Sequence, residues 1–414
     1  MTPTRHIAAR WYAFGYLREV VLMYPIYAIM MGANGISPLE LSTLFIVWSG
    51  SALVFEVPSG VIADRFSRKW LLVASGFIKG SVFIVWWTAP NYWGYFVGFI
   101  VWGFGSSLIS GTSESLLFDT LRARIDPRTQ RDETDAFARI YSRGLVAANL
   151  GVATALLGGG YAAHAGYELP LFESAAMPML ASLLVAFTFA EPPRFAAAHV
   201  DVPNSAASHS TVVRSSVLSR FAATLHAGLA EVRANRTMLR IVAMAATLAT
   251  AYGTLDEYVG PFFTETRAFS LGEIGVIYAA LYAMKTIGME ASHRLPVHSL
   301  RGIAWLAALA TTGLGASTLV SGYAIAVAIG LYFALSAACE VLLQTRLQHE
   351  IESHARATVT SLAKMAQHAF EPLLLLYIGS IAQLASFRAA FAAVAGLTFA
   401  LALAFVAFAP ARDR

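Results

Sequence analysis

Apolar residues fill this chain in stretches of about 20 or more, broken by short polar turns, and each stretch is long enough to cross a hydrocarbon core as a helix. Twelve spans are predicted, over residues 11–31, 39–63, 70–89, 92–117, 136–163, 169–190, 237–263, 271–291, 303–320, 323–343, 357–384 and 388–409. One long polar stretch divides them six and six, which predicts a first bundle over 1–190, a central loop over 191–236 and a second bundle over 237–414. The loop opens with an Ala-, Ser-, His- and Pro-rich part that reads as irregular. Its second part spaces Val217, Leu218, Phe221, Leu225 and Leu229 at helical intervals with Arg214, Arg220, His226 and Arg233 between them, the pattern of an amphipathic helix on a membrane surface. A solvated linker helix fits that pattern equally.

Composition agrees: the 414 residues are 57% hydrophobic and 13% charged, with mean hydropathy +0.60, where a soluble domain carries about a quarter charged residues. Most of the chain is expected in lipid. The charges that remain sort by side. Arg5 and Arg10, Arg65, Arg68 and Lys69, Arg122 to Arg131, Arg294 and Arg301, and Arg346 and Arg356 fall in alternate turns, while the turns at 33–38, 90–91, 164–168 and 321–322 carry no Lys or Arg. This places both termini and the central loop on the cytoplasmic side of an inner membrane. The net charge of +4 sits in those turns rather than on one soluble face, so no nucleic-acid partner is expected. Arg5 and Arg10 precede a run too long and too charged for a cleavable signal peptide. The single Cys339 excludes a disulfide framework and a cysteine-based metal site.

The most specific motif lies between the second and third spans: Gly60-Val61-Ile62-Ala63-Asp64-Arg65-Phe66-Ser67-Arg68-Lys69. It resembles the loop-2/3 signature of the major facilitator superfamily, Gly-x-x-x-Asp-Arg-x-Gly-Arg-Lys/Arg, with Ser67 in place of the second glycine. A weaker echo, from Gly288 to Arg294, holds the matching place between spans eight and nine, with Ser292 where Asp64 stands. With the twelve spans and the six-plus-six split, the resemblance extends over nearly the whole chain. It implies an all-α membrane protein, with twelve helices in two six-helix bundles that rock about a central cavity. It also implies that spans one, four, seven and ten line the cavity, that two, five, eight and eleven form the bundle interface, and that three, six, nine and twelve face lipid. Gly60, Asp64, Arg65, Arg68 and Asp119 would then form a latch. In the family, the aspartate lies near the start of span eleven and the turn's arginine pairs with an acid at the end of span four, here Asp119.

Charges inside spans are costly, about 2.5–3.5 kcal/mol each at a helix centre on insertion scales, and are functional by default. Here they are Arg18 and Glu19, Glu56, Lys79, Asp256 and Glu257, Lys285, Glu340, and Lys364, His368 and Glu371. Arg18 stays charged and suits an anionic group, unless Glu19 or Glu56 neutralises it. With Tyr24, Tyr27, Tyr252 and Glu340 it makes the substrate-binding set. Glu56, Glu340 and Glu371 are the proton-coupling candidates, because an acid whose partner moves during rocking binds and releases a proton. Lys79, on a span expected to face lipid, reads as a structural ion pair.

Span five carries Gly144, Gly151 and Gly158 to Gly160 for close packing, without the Gly-Pro ending of the family's antiporter signature. No Walker, zinc-protease or serine-hydrolase motif occurs, so neither a cofactor nor enzyme activity is expected. The reading is a monomeric secondary active transporter of a small organic molecule, driven by protons, with efflux of amphiphilic, drug-like compounds favoured over uptake of an anionic metabolite or siderophore-like ligand.

Overall fold

The computed structural model describes residues 3–110, 112–123, 130–190, 235–266, 269–297, 299–350 and 356–408, together with residue 232; within these, the side chains of Asp64 and Arg65 lie outside the described set. Among the described residues the chain is helical, with no strand. That follows from lipid as solvent, where each backbone amide and carbonyl must be satisfied within its own segment.

The helices fall into the twelve predicted spans. Span one is Pro3–Glu19 plus Tyr27–Ala33; spans two and three are Pro38–Arg65 and Arg68–Thr88. Span four is Tyr92–Ile109 plus Thr112–Arg122, and spans five and six are Gln130–Ala162 and Glu168–Thr188. Span seven runs as Arg236–Met244, a π turn at Ala245–Ala249, Thr250–Asp256 and Val259–Glu265. Spans eight to twelve are Leu271–Ala291, Leu300–Ser317, Tyr323–Glu350, Arg356–Leu384 and Phe387–Phe408. Eight of the described helices are long and apolar enough to cross a bilayer by those criteria alone. Span one falls outside that set because it is broken. Spans eight, nine and eleven are made less apolar by Glu273, Lys285 and Glu290, by Arg301, and by Lys364 and Glu371 respectively. Most of the predicted central loop, with its amphipathic segment, lies outside the described residues.

The two halves start their second helix the same way. Ser37 Oγ accepts the Glu40 amide at 3.3 Å while Glu40 Oε2 accepts the Ser37 amide at 2.9 Å. Ser270 and Glu273 repeat this capping box at the start of span eight, at 3.3 and 2.8 Å. Within the first half, span one packs on five, two on four, and three on four and six; within the second, eight and nine pack on ten, and nine on twelve. Between the halves, span two packs on eleven and five on eight.

The halves meet most tightly at one end, here called the far face, opposite the turn at Phe66 and Ser67. A side-chain carbon on Gly160 would overlap the Leu271 carbonyl oxygen, and one on Gly275 would overlap that of Leu156. Spans five and eight therefore touch backbone to backbone. Spans two and eleven do much the same where Gly379 faces Ser42, and Ser42 Oγ also meets the Tyr258 hydroxyl at 2.5 Å.

Candidate functional site

Span one stops at Glu19 and resumes at Tyr27, with Pro25 between. Proline has no amide proton to continue the ladder, and a break here frees several backbone groups. Span six takes up two of them: Glu173 Oε2 accepts the Leu22 amide at 3.1 Å, and Ser174 Oγ accepts the Met23 amide at 3.0 Å. At the carboxyl end of Pro3–Glu19, Lys79 of span three directs its ammonium at the Arg18 carbonyl, 3.5 Å away, where the helix dipole favours a cation. Glu173→Ala is expected to destabilise the fold by about 1–3 kcal/mol through the orphaned Leu22 amide, whereas Glu173→Gln keeps an acceptor and most of the stability. Equal melting temperatures for the two variants in detergent would refute the anchor.

Span seven is interrupted at the equivalent depth, between Asp256 and Val259. Here span eight supplies the partners. The Tyr278 hydroxyl donates to the Asp256 carbonyl at 3.1 Å and accepts the Gly260 amide at 2.9 Å, and the Tyr282 hydroxyl donates to Asp256 Oδ2 at 2.9 Å. Both halves therefore present an unwound segment to the space between them.

That space is a cavity of about 390 Å³. From the first half it is lined by Glu19, Tyr24, Tyr27, Trp48, Lys79, Phe99 and Trp102, and from the second by Asp256, Glu257, Tyr278 and Tyr282. On the first side, Glu19 is the hub: Arg18 Nε lies 2.9 Å from Oε1, while Oε2 accepts from the Tyr24 hydroxyl at 2.9 Å and lies 3.7 Å from Lys79 Nζ. Lys79 Nζ also donates to the Tyr24 hydroxyl at 2.8 Å. A second cavity of about 340 Å³ shares Trp48 and Ser106 with the first and continues away from the far face. Its walls hold Glu56, Ser49, His368 and Glu371; Glu371 Oε2 accepts from Ser49 Oγ at 2.7 Å and lies 3.3 Å from His368 Nδ1. The Ser49–Glu371 bond joins the two halves.

The candidate residues named from the sequence are thus dispersed. Tyr24 and Tyr27 line the central cavity, and Glu56 and Glu371 share the adjoining one. Arg18 is occupied by Glu19 and stacks its guanidinium 5.5 Å from the Phe14 ring centre. Glu340 lines a separate void of about 20 Å³ with Tyr332, Ser336 and Cys339. Tyr252 is buried against Phe333 and Tyr332, and its hydroxyl lacks a partner among the described residues. Gly60 is exposed near the end of span two, Arg68 ion-pairs with Asp119, and the side chains of Asp64 and Arg65 are not described. Lys79, expected toward lipid, is 6% exposed and lines the cavity, because the break in span one opens a path to it. Sequence reading misses Glu173 and Ser174 and leaves Glu257 without a role. The signal available is Pro25 following the charged pair Arg18 and Glu19 within one span, which marks a discontinuous helix.

Comparison with known proteins is consistent with this architecture. The solved nucleoside transporter NupG is similar to this chain at 12% identity and a TM-score of 0.74, covering 98% of this chain and 99% of its own. A bacterial homologue of the human lysosomal transporter Spinster, in an inward-facing and occupied conformation, has 14% identity and a TM-score of 0.71 over 98% and 97%. The peptide transporter POT in complex with sulfate has 12% identity and a TM-score of 0.62 over 98% and 93%. At such identities the likeness is one of fold. An uncharacterized transporter of Buchnera aphidicola subsp. Schizaphis graminum (strain Sg) is 33% identical over 78 residues, which span 18% of this chain and 19% of that protein. The family model for the Major Facilitator Superfamily matches residues 12–373, and the chain belongs to that superfamily.

Proposed function

We propose that this chain is a secondary transporter that moves a small organic molecule across the inner membrane by alternating access, with proton coupling and efflux of amphiphilic compounds. The observation that carries the reading is the 390 Å³ cavity between the two halves, sealed by helix backbones at the far face and adjoining a second cavity on the other side. Residues 1–190 and 237–414 act as the two rocking bodies, joined by 191–236, with the termini and that loop in the cytoplasm. The turn at Phe66 and Ser67 then faces the cytoplasm too, so the cavity opens inward.

Glu371 and Glu56 are assigned the proton. Glu371 bonds across the interface to Ser49, so rocking must change its surroundings. In proteoliposomes, Glu371→Gln and Glu56→Gln are expected to abolish pH-gradient-driven accumulation while sparing exchange of solute present on both sides. If both variants concentrate solute as the parent does, the proton route lies elsewhere, with Glu340 next. Complete absence of exchange of any solute by the parent would overturn transport itself.

A further inference from the structure

We infer that the central cavity selects an organic cation with an apolar, aromatic-compatible body, and that Glu257 of span seven is the residue that recognises its charge. The inference rests on the transport reading and deepens it.

The balance of free and engaged charge around the cavity decides the sign. Lys79 is the single Lys or Arg lining it among the described residues, and its ammonium is already directed at the Tyr24 hydroxyl, the Glu19 carboxylate and the Arg18 carbonyl. An ammonium has three protons to donate; here one goes to the Tyr24 hydroxyl at 2.8 Å, with the Arg18 carbonyl at 3.5 Å and the Glu19 carboxylate at 3.7 Å, so Lys79 is largely committed to its own half. Lys285, behind the opposite wall, sits over the Tyr252 and Tyr282 rings at 5.0 and 5.6 Å. The carboxylates are arranged the other way. Glu19 is engaged by Arg18, Lys79 and Tyr24, but Glu257 receives no hydrogen bond and has no ion-pair partner among the described residues. Beside it, Asp256 gives Oδ2 to Tyr282 and leaves Oδ1 buried without a partner among the described residues. On the span-seven wall two carboxylates, Asp256 and Glu257, stand against one nearby cation, Lys285, so the unmet electrostatic demand there is for positive charge, whereas on the span-one wall Arg18 and Lys79 outnumber Glu19.

The opposite wall supplies the complement. Trp102 lies 6.2 Å from Trp48 and 6.4 Å from Tyr27, ring centre to ring centre, and Trp48 lies 6.4 Å from Phe99. These rings line the same cavity as Glu257, and ring faces attract cations as well as apolar groups; Lys79 Nζ already lies 5.8 Å from the Trp102 ring centre, which leaves Tyr27, Trp48 and Phe99 for the ligand. A neutral solute would use the rings and leave the Glu257 carboxylate unanswered, and an anion would meet repulsion from that carboxylate.

The test compares three probes of similar shape and different charge: tetraphenylphosphonium, neutral triphenylphosphine oxide and tetraphenylborate. Binding to purified full-length protein is read by quenching of tryptophan fluorescence, since Trp48 and Trp102 line the cavity. The parent is expected to prefer the phosphonium. Glu257→Gln should weaken it roughly tenfold or more, the scale of a desolvated ionic contact, while retaining the neutral probe, which shows the cavity intact. Glu257→Asp should keep the preference for the cation, and serves if the glutamine variant does not fold. The assignment is overturned if Glu257→Gln holds the phosphonium as tightly as the parent, if Glu257→Asp loses the preference, or if the parent binds the borate equally or none of the three. Exchange of any solute in proteoliposomes reads transport separately and survives each of those outcomes.

Discussion

Gly160→Val is expected to open the far face. The new Cβ would overlap the Leu271 carbonyl oxygen, and because the obstacle is backbone, the only relief is separation of spans five and eight. Overpacking of this kind costs about 1–3 kcal/mol. At about 2 kcal/mol a balanced equilibrium between closed and open shifts roughly thirtyfold. The measurement uses a Cys339→Ser background, which removes the one native thiol. A cysteine introduced by Ala28→Cys, at a position that lines the cavity and is 7% exposed, then reacts with an impermeant maleimide added at the far face. The labelling rate should rise by about that thirtyfold factor when Gly160→Val is added to this background. An unchanged rate would mean that these helices do not form the seal.

The second large effect concerns the Glu19 hub. Glu19→Ala removes the carboxylate shared by Arg18 and Lys79, whose side chains are 20% and 7% exposed. Breaking a buried pair from one side costs about 3–5 kcal/mol, since the stranded cation keeps its desolvation penalty. A marked drop in melting temperature in detergent is the expected result, with part of it recovered in Glu19→Ala/Lys79→Met, where no ammonium is stranded although the Arg18 guanidinium still is. Equal melting of the single and double variants would show that the Lys79–Glu19 pair contributes nothing. Because Lys79 also caps the end of Pro3–Glu19, the recovery should fall short of complete.

The spans and the family resemblance are legible because length and apolarity are what lipid demands of a helix. The interior of the site is less so. Lipid and protein interior are equally apolar, so hydropathy does not say which way a side chain faces. For that reason Lys79 reads as peripheral, and Tyr252 and Glu340 read as cavity-lining although they pack inside the second half. Glu173 escapes notice because its partner is a backbone amide, which only the break in span one exposes. Two signals stand in the chain itself: Pro25 within span one, and the pairs Ser37–Glu40 and Ser270–Glu273, which mark the halves as repeats more firmly than the echo around Gly288 does.

The far-face seal consists of carbonyls against glycines and a hydroxyl against a hydroxyl, whereas the opposite end carries the Arg68–Asp119 ion pair, with Arg68 38% exposed. Dissolved ions weaken exposed charge pairs over a Debye length of about 8 Å at physiological ionic strength and about 3 Å at 1 M. They leave backbone packing untouched. Salt therefore acts on this pair, which ties the turn after span two to span four within the first half, and not on the far-face seal between the halves, so raising ionic strength should leave that seal as it is.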